Sequence, residues 1–255
     1  MGKSKFIRLI ENLFWPPKCV GCGELCQKHL FDTCELPLCD RCRGAWEREK
    51  LEICPDCDLE MTICNCSSRL LEKAEVEDAV KLFNYSTRRN GVGKHAVLYM
   101  KKHRNPRAIE FFATQLSYAV KRKVAGADPQ KVVVFSVPRS RKSRRVYGLD
   151  QAELLAEKLA EVCGFRYLKL IKRSRNSGAA QKKKNLSKRV KDAKKQFAPD
   201  LKQIKLLGDA ELIVAVDDIL TSGASLAGCI EKLKKYYKGK FICATVGRTG
   251  KRRKK

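Results

Sequence analysis

The sequence predicts an α/β protein, a doubly wound and mainly parallel sheet preceded by a small cysteine-rich module. Three observations carry this expectation. From residue 74 onward, short apolar runs alternate with segments of helical periodicity, the pattern of strands joined by crossover helices. Ten of the thirteen cysteines lie ahead of those runs, between Cys19 and Cys66. One stretch, Glu211 to Ser225, passes from a fully apolar strand pattern through two adjacent carboxylates and a hydroxyl-rich turn into a helix.

Taken in order, residues 1–17 are basic, and Phe6, Ile7, Ile10, Leu13 and Phe14 space out an amphipathic helix that stops at Pro16-Pro17. Arg8 and Glu11 interrupt the apolar core that a secretory leader needs. No run approaches the roughly 18 apolar residues of a membrane span. The expectation is a cytoplasmic protein with reduced thiols and no integral membrane segment.

In that setting the cysteines of residues 18–70 read as metal ligands rather than disulfides. Cys19-x-x-Cys22 and Cys39-x-x-Cys42 make one pair of knuckles. Cys54-x-x-Cys57 and Cys64-x-Cys66 make a second, one residue tighter. Each quartet can turn four thiolates onto one zinc ion and leave no open position, so a structural double zinc ribbon holding one or two ions is expected. Cys26 and Cys34 are spare and could replace a member of either set. Little else in residues 18–66 builds a core, so metal is expected to supply most of the module's folding energy.

Residues 75–249 carry the sheet. Strands are expected at 79–85, 131–137, 165–171, 212–216 and 241–246. Helices are expected at 95–121, with a break near Asn105-Pro106, and at 149–162 and 226–237. Residues 250–255 form a basic tail. Ligands of such sheets sit at the carboxyl ends of the strands beside the switch point, so the Val137 end and the Asp217 end should face one cleft. His103 and Arg104 could line it, or simply end a solvated helix. Gln151 reads as a polar residue at the surface of a helix N-terminus.

The net charge of +27 is unevenly placed. Residues 169–195 hold twelve Lys or Arg against one acid, Asp192, while residues 136–145 and 251–255 add five cations each. A polyanion or a phosphorylated ligand is the natural partner, with a well-solvated basic surface as the plainer reading. Residues 173–197 would form a mobile basic flap or a disordered linker. No aromatic residue falls within 169–195, so nucleic acid held there, on Lys182, Lys183 and Lys184, would be held electrostatically and with little regard to sequence.

The run from Glu211 to Ser225 concentrates the chemistry. Asp217 and Asp218 can accept hydrogen bonds from vicinal hydroxyls. The Thr221, Ser222 and Ser225 hydroxyls, with the backbone of Gly223 and Ala224, can surround an anion at a helix N-terminus. An ordinary strand-to-helix turn is the plainer alternative. A Walker-type acidic pair is another, but no Gly-x-x-x-x-Gly-Lys-Ser/Thr run accompanies it. The Val137-Pro138-Arg139-Ser140-Arg141-Lys142 loop adds two guanidinium groups able to fork onto phosphate.

This stretch resembles the phosphoribosyl-pyrophosphate (PRPP) motif of type I phosphoribosyltransferases, an apolar strand, Asp-Asp, then Thr-Thr-Gly-x-Thr, with Ser222 and Ser225 keeping the hydroxyls here. The resemblance implies that Asp217 and Asp218 are the catalytic pair and hold the ribose or its Mg²⁺. It implies that residues 221–225 take the 5-phosphate, and that Arg139 and Arg141 flank the pyrophosphate. Further along, Tyr147-Gly148-Leu149-Asp150-Gln151-Ala152, Gln181 and Lys188-Arg189-x3-Ala193-x3-Phe197 follow in order behind the cysteine knuckles. The whole order resembles the ComF family of competence proteins, a double zinc ribbon joined to a phosphoribosyltransferase-type domain, and covers about residues 19–246. Departures are the Cys64-x-Cys66 pair and Asp150 where Asn is frequent. That resemblance implies PRPP binding in a protein of DNA uptake and natural transformation, with single-stranded DNA and a helicase-like competence protein as partners. The alternative is an active phosphoribosyltransferase of nucleotide metabolism that displaces pyrophosphate from PRPP. No residue stands out as recognising an acceptor.

Overall fold

A computed structural model describes residues 18–26, 37–85, 91–103, 106–139, 150–174 and 195–249. The expected N-terminal helix, Cys34, Arg104, Arg141, the flap with Lys182, Lys183 and Lys184, and the basic tail lie outside the described residues.

The cysteine module contributes helix α1 (Asp40–Lys50) and leads through α2 (Arg69–Lys73) into the sheet. Strand β1 (Asp78–Asn84) is followed by α3 (Val92–His103) and α4 (Pro106–Lys123), then β2 (Val132–Ser136) and α5 (Gln151–Cys163). A short β3 (Arg166–Tyr167) precedes β4 (Ile171–Arg173) and β5 (Phe197–Pro199). After the single turn α6 (Leu201–Ile204) come β6 (Leu212–Leu220), α7 (Ala224–Leu233) and β7 (Lys240–Arg248).

Five strands form one parallel sheet in the order β1-β7-β6-β2-β3. From β2 the chain moves outward to β3, then returns to β6 and moves outward the other way to β7, so the winding reverses between β2 and β6. The central strands are buried on both faces, which is why they read as continuous apolar runs rather than alternating ones. One face packs on α3, α4 and α5, with Val134, Val214 and Val246 against Phe112, Leu116 and Leu159. The other packs on α2, α7 and the β4–β5 hairpin, with Val133, Ile213 and Phe135 against Leu71, Ile230 and Phe197.

Two expected elements differ. Residues 165–171 do not make one strand. The Leu168 N–H bonds to Val134 O, Leu170 N–H turns back onto Leu168 O, and β4 leaves to pair antiparallel with β5. Leu170 and Ile171 are consecutive and both buried, which a single half-buried strand does not allow. The motif strand, expected to end at Val216, runs on to Leu220 because β7 accompanies it, pairing Asp217 with Thr245 and Leu220 with Arg248.

The module also has more apolar support than its composition suggested. Val20, Leu38 and Trp46 belong to the same core as the α4 side of the sheet. Trp46 meets Phe83, Phe111 and Phe112 edge-on, and its Nε1–H donates to Gln115 Oε1 at 2.9 Å. Glu49, almost fully buried, accepts from the Val92 and Gly93 N–H groups at 2.5 and 2.9 Å and so caps α3. The backbone approaches closely here, since a Cβ on Gly21 would lie 2.9 Å from Val92 Cγ1.

Candidate functional site

Strand β2 ends beside Val216 of β6 at the winding reversal, where Val137 N–H bonds to Val216 O at 3.0 Å. Here a doubly wound sheet opens its ligand crevice. β6 brings Asp217 and Asp218 to that edge, and the loop after β2 brings Arg139. Arg139 Nη2 donates to Asp218 Oδ2, and Lys101 Nζ, from α3, lies 3.0 Å from the same oxygen. Asp218 Oδ1 accepts from the Ile219 N–H at 2.7 Å.

The two carboxylates are therefore unequal. Burial acts against the charge on Asp218, but Lys101 and Arg139 overcome it and hold its pKa below the ordinary value. Asp217 accepts the Asp218 N–H at 2.9 Å and makes no ion pair of its own among the described residues, so that Arg139 and Lys101 act on it only from farther off. Burial, and then the charge of Asp218, push its pKa upward. A carboxylate in contact with two cations, beside one that feels them only at a distance, leaves room for a further positive charge, or for hydroxyl donors, at Asp217.

Arg139 is held from behind. Its backbone N–H donates to Asp150 Oδ2 at 2.8 Å, and its Nε lies 4.0 Å from Asp150 Oδ1. Asp150 also caps α5 by accepting from the Glu153 N–H. Two oxygens serve loop and helix together, and an asparagine would offer one acceptor in their place. Gln151, expected at the surface, is fully buried instead. Its Nε2 reaches Lys101 O at 3.4 Å and its Oε1 finds no partner. Helix α5 turns this residue against α3 rather than outward.

The hydroxyl-rich turn follows β6. Thr221 is exposed and Ser222 and Ser225 are half-buried. Ser222 Oγ accepts from the Ala224 N–H at 3.4 Å. Gly223 stands at the N-cap of α7 with φ +74°, a conformation L side chains rarely adopt. A Cβ there would also lie 2.5 Å from Ser68 Oγ and 3.1 Å from Leu71 Cγ. The turn thus rests on α2, directly after the second cysteine group, while the first-turn N–H groups of α7 face outward from the helix end.

Both cysteine quartets assemble as their spacing predicts. The sulfurs of Cys19, Cys22, Cys39 and Cys42 lie within 4.8 Å of one another, as do those of Cys54, Cys57, Cys64 and Cys66. Tetrahedral zinc at about 2.3 Å from each sulfur needs sulfurs about 3.8 Å apart. Cys22 and Cys39 are separated by 3.8 Å, and Cys57 and Cys64 by 3.4 Å. Backbone N–H groups of Gly21 and Cys39 donate to Cys19 Sγ, and that of Cys66 to Cys64 Sγ, as negative sulfur requires. Each group could hold a metal ion, and four thiolates suit zinc. Cys26 is buried beside the first quartet but outside it. Burial, then the charges of Cys19 and Cys39, push its thiol up to about 12, so it stays protonated.

The second quartet is tied to the sheet by cations. Lys81 on β1, fully buried, spends its three N–H donors on Cys66 O at 2.7 Å, Cys64 O at 2.9 Å and Ala79 O at 3.0 Å. Arg248 on β7 bonds Asp56 and lies 3.7 Å from Cys54 Sγ.

The structure gathers the expected diacid, Arg139 and turn at one crevice and the eight thiols in two groups. Lys101, Lys81, Arg248 and Ser68 come in from distant elements with no local signal. A cavity of about 1070 Å³ opens at the other end of β6 and β7, around Glu75, Lys234 and Tyr237. Its carboxylates already pair with lysines, Glu75 with Lys234 and Glu77 with Lys240. No family model matches the chain, and a comparison with curated proteins finds no match. No helix among the described residues is long and apolar enough to cross a membrane.

Proposed function

We propose that the chain binds PRPP or a closely related sugar phosphate at the carboxyl ends of β2 and β6, and that it acts in DNA uptake, like the competence family it resembles. One observation carries the ligand. A diacid lies near the carboxyl end of a central strand, between a cation-bearing loop and a hydroxyl-rich helix N-terminus, and two cations converge on one of its carboxylates. The turn at 221–225 would take the 5-phosphate, and Asp217 and Asp218 the ribose hydroxyls. Arg139 and Lys101, now on Asp218, would exchange onto the pyrophosphate, for which guanidinium and ammonium are suited. Mg²⁺ arriving with PRPP would meet Asp217, the carboxylate that makes no ion pair of its own among the described residues.

Zinc in both quartets completes the proposal, as structural ions with no open position. Single-stranded DNA is the proposed polyanion, on the strength of the net charge of +27, with a helicase-like competence protein as the partner that the resemblance implies. Turnover is the second reading. A phosphoribosyltransferase reaction would gain from Arg139 and Lys101 as charge develops on the departing pyrophosphate, and a neighbouring cavity gives an acceptor somewhere to sit. The test is a thermal shift. PRPP with Mg²⁺ should raise Tm, and Asp217→Asn with Asp218→Asn should abolish the rise. No rise at millimolar PRPP would sink the proposal.

A further inference from the structure

Beside the diacid, a cavity of about 350 Å³ opens at the carboxyl ends of β2 and β3 and is bounded by the β4 side of the hairpin. That is the size of a small-ligand pocket. Arg139 lines it and reaches Asp218 from it, so cavity and diacid crevice share a wall.

Its lysines are already paired, Lys169 with Glu153 and Lys172 with Asp200 at 3.7 Å. Arg173 differs. Its Nε donates to Pro138 O at 3.2 Å and its Nη1 to Gln196 Oε1 at 2.8 Å, and its guanidinium covers Phe197 at 5.1 Å from the ring centroid. Each of these partners is neutral, and among the described residues no carboxylate pairs with it. Burial lowers its pKa, yet an arginine does not shed its proton in a protein. Asp150 acts on it only from a distance, a part-buried cation with no carboxylate in contact is costly, and Nη2, with no partner among the described residues, can take an anion. Nearby, Tyr167 Oη and Ser136 Oγ lie 3.3 Å apart and offer a hydroxyl pair to a polar ligand edge.

We propose that this cavity holds a small organic monoanion, a ring bearing one carboxylate, as the acceptor subsite of the sugar-phosphate site. The anion site rests on Arg173; its role as an acceptor subsite rests also on the PRPP reading of the neighbouring diacid. One cation that no described carboxylate touches matches one carboxylate charge, whereas a phosphate dianion would bring a second negative charge toward Glu153 and Asp200 in the same lining. In the transfer, a ring nitrogen's lone pair forms the bond to C1 of the ribose. The C1–O bond breaks with its electron pair leaving on pyrophosphate, and any proton on that nitrogen passes to water.

The test is calorimetric titration of the full chain with nicotinate and benzoate, each against its uncharged amide. The carboxylates should bind at least about tenfold more tightly, the scale of a hydrogen bond to a charged group. Arg173→Gln should lose that preference and Arg173→Lys, which keeps the charge, should retain part of it. The preference should survive Asp217→Asn with Asp218→Asn. Equal binding of acid and amide, or none up to about 10 mM, overturns the pocket even where PRPP binds. A preference unchanged in a folded Arg173→Gln protein overturns it as well. Carboxylate discrimination in a chain that never responds to PRPP supports the anion site and overturns its role as an acceptor subsite.

Discussion

The two cysteine quartets offer the same four thiols and are anchored by opposite physics. The first sits on an apolar root, with Cys19 and Cys42 in the core that Trp46 shares with Phe83, Phe111 and Phe112. The second has almost no apolar root. Cys54, Met61 and Cys64 make a cluster of their own, and cations fasten it to the sheet. Lys81 holds its Cys64 and Cys66 carbonyls, Arg122 its Thr62 carbonyl, and Arg248 its Asp56 carboxylate. The difference lies in what each anchor touches next. The first leads into α4 and, through Glu49, into the N-terminus of α3, whose Lys101 reaches Asp218 only near its other end. The second leads to the site, because Arg248 pairs across the sheet with Leu220 at the head of the hydroxyl turn, and Ser68 follows Cys66 and lies against Gly223.

The comparison can be broken at either root. Trp46→Ala removes the largest buried side chain of the module and should cost about 3–5 kcal/mol, the range for a buried aromatic truncated to alanine. Chemical denaturation measures it, and the loss should be nearly insensitive to salt. Lys81→Met keeps the apolar stem but leaves three backbone carbonyls without their donor, two of them in the second quartet. A cost of about 1–3 kcal/mol for each carbonyl that stays buried is expected. Zinc should fall from two ions per chain toward one, with Trp46 fluorescence unchanged; two retained ions would mean that Lys81 is not the anchor.

Arg248→Ala should have the smallest effect on stability, under about 1 kcal/mol, because Asp56 is nearly half exposed and such pairs are screened. Its signature lies elsewhere. If the second quartet steadies the hydroxyl turn through β7, the variant should shrink the PRPP-dependent rise in Tm while leaving the unliganded Tm almost unchanged. A full rise would separate the cysteine module from the site.

What the sequence made legible follows the same division between near and far. Asp217, Asp218 and the turn lie within nine residues, so strand, acids and helix start could be read together. The eight thiols were legible because zinc demands a spacing that chance seldom supplies. Arg139 was legible as the cation after a strand. Lys101 was not, since only the packing of α3 over the sheet brings it to Asp218, and Arg173 looked like one more cation in a basic run. Gln151 was misplaced because its position at a helix start suggests solvent, and only the contact between α5 and α3 buries it. The motif strand came out short because polar residues usually end a buried strand, and β7 as its equally long partner was invisible.

Whether the β2–β6 crevice is a sugar-phosphate site is tested most directly by calorimetry of PRPP with Mg²⁺ on the zinc-loaded chain. Saturable binding at one site per chain is expected, lost in Asp217→Asn with Asp218→Asn while the zinc content and the fold are retained. Absence of binding at millimolar PRPP, or undiminished binding in that double variant, would contradict the sugar-phosphate reading.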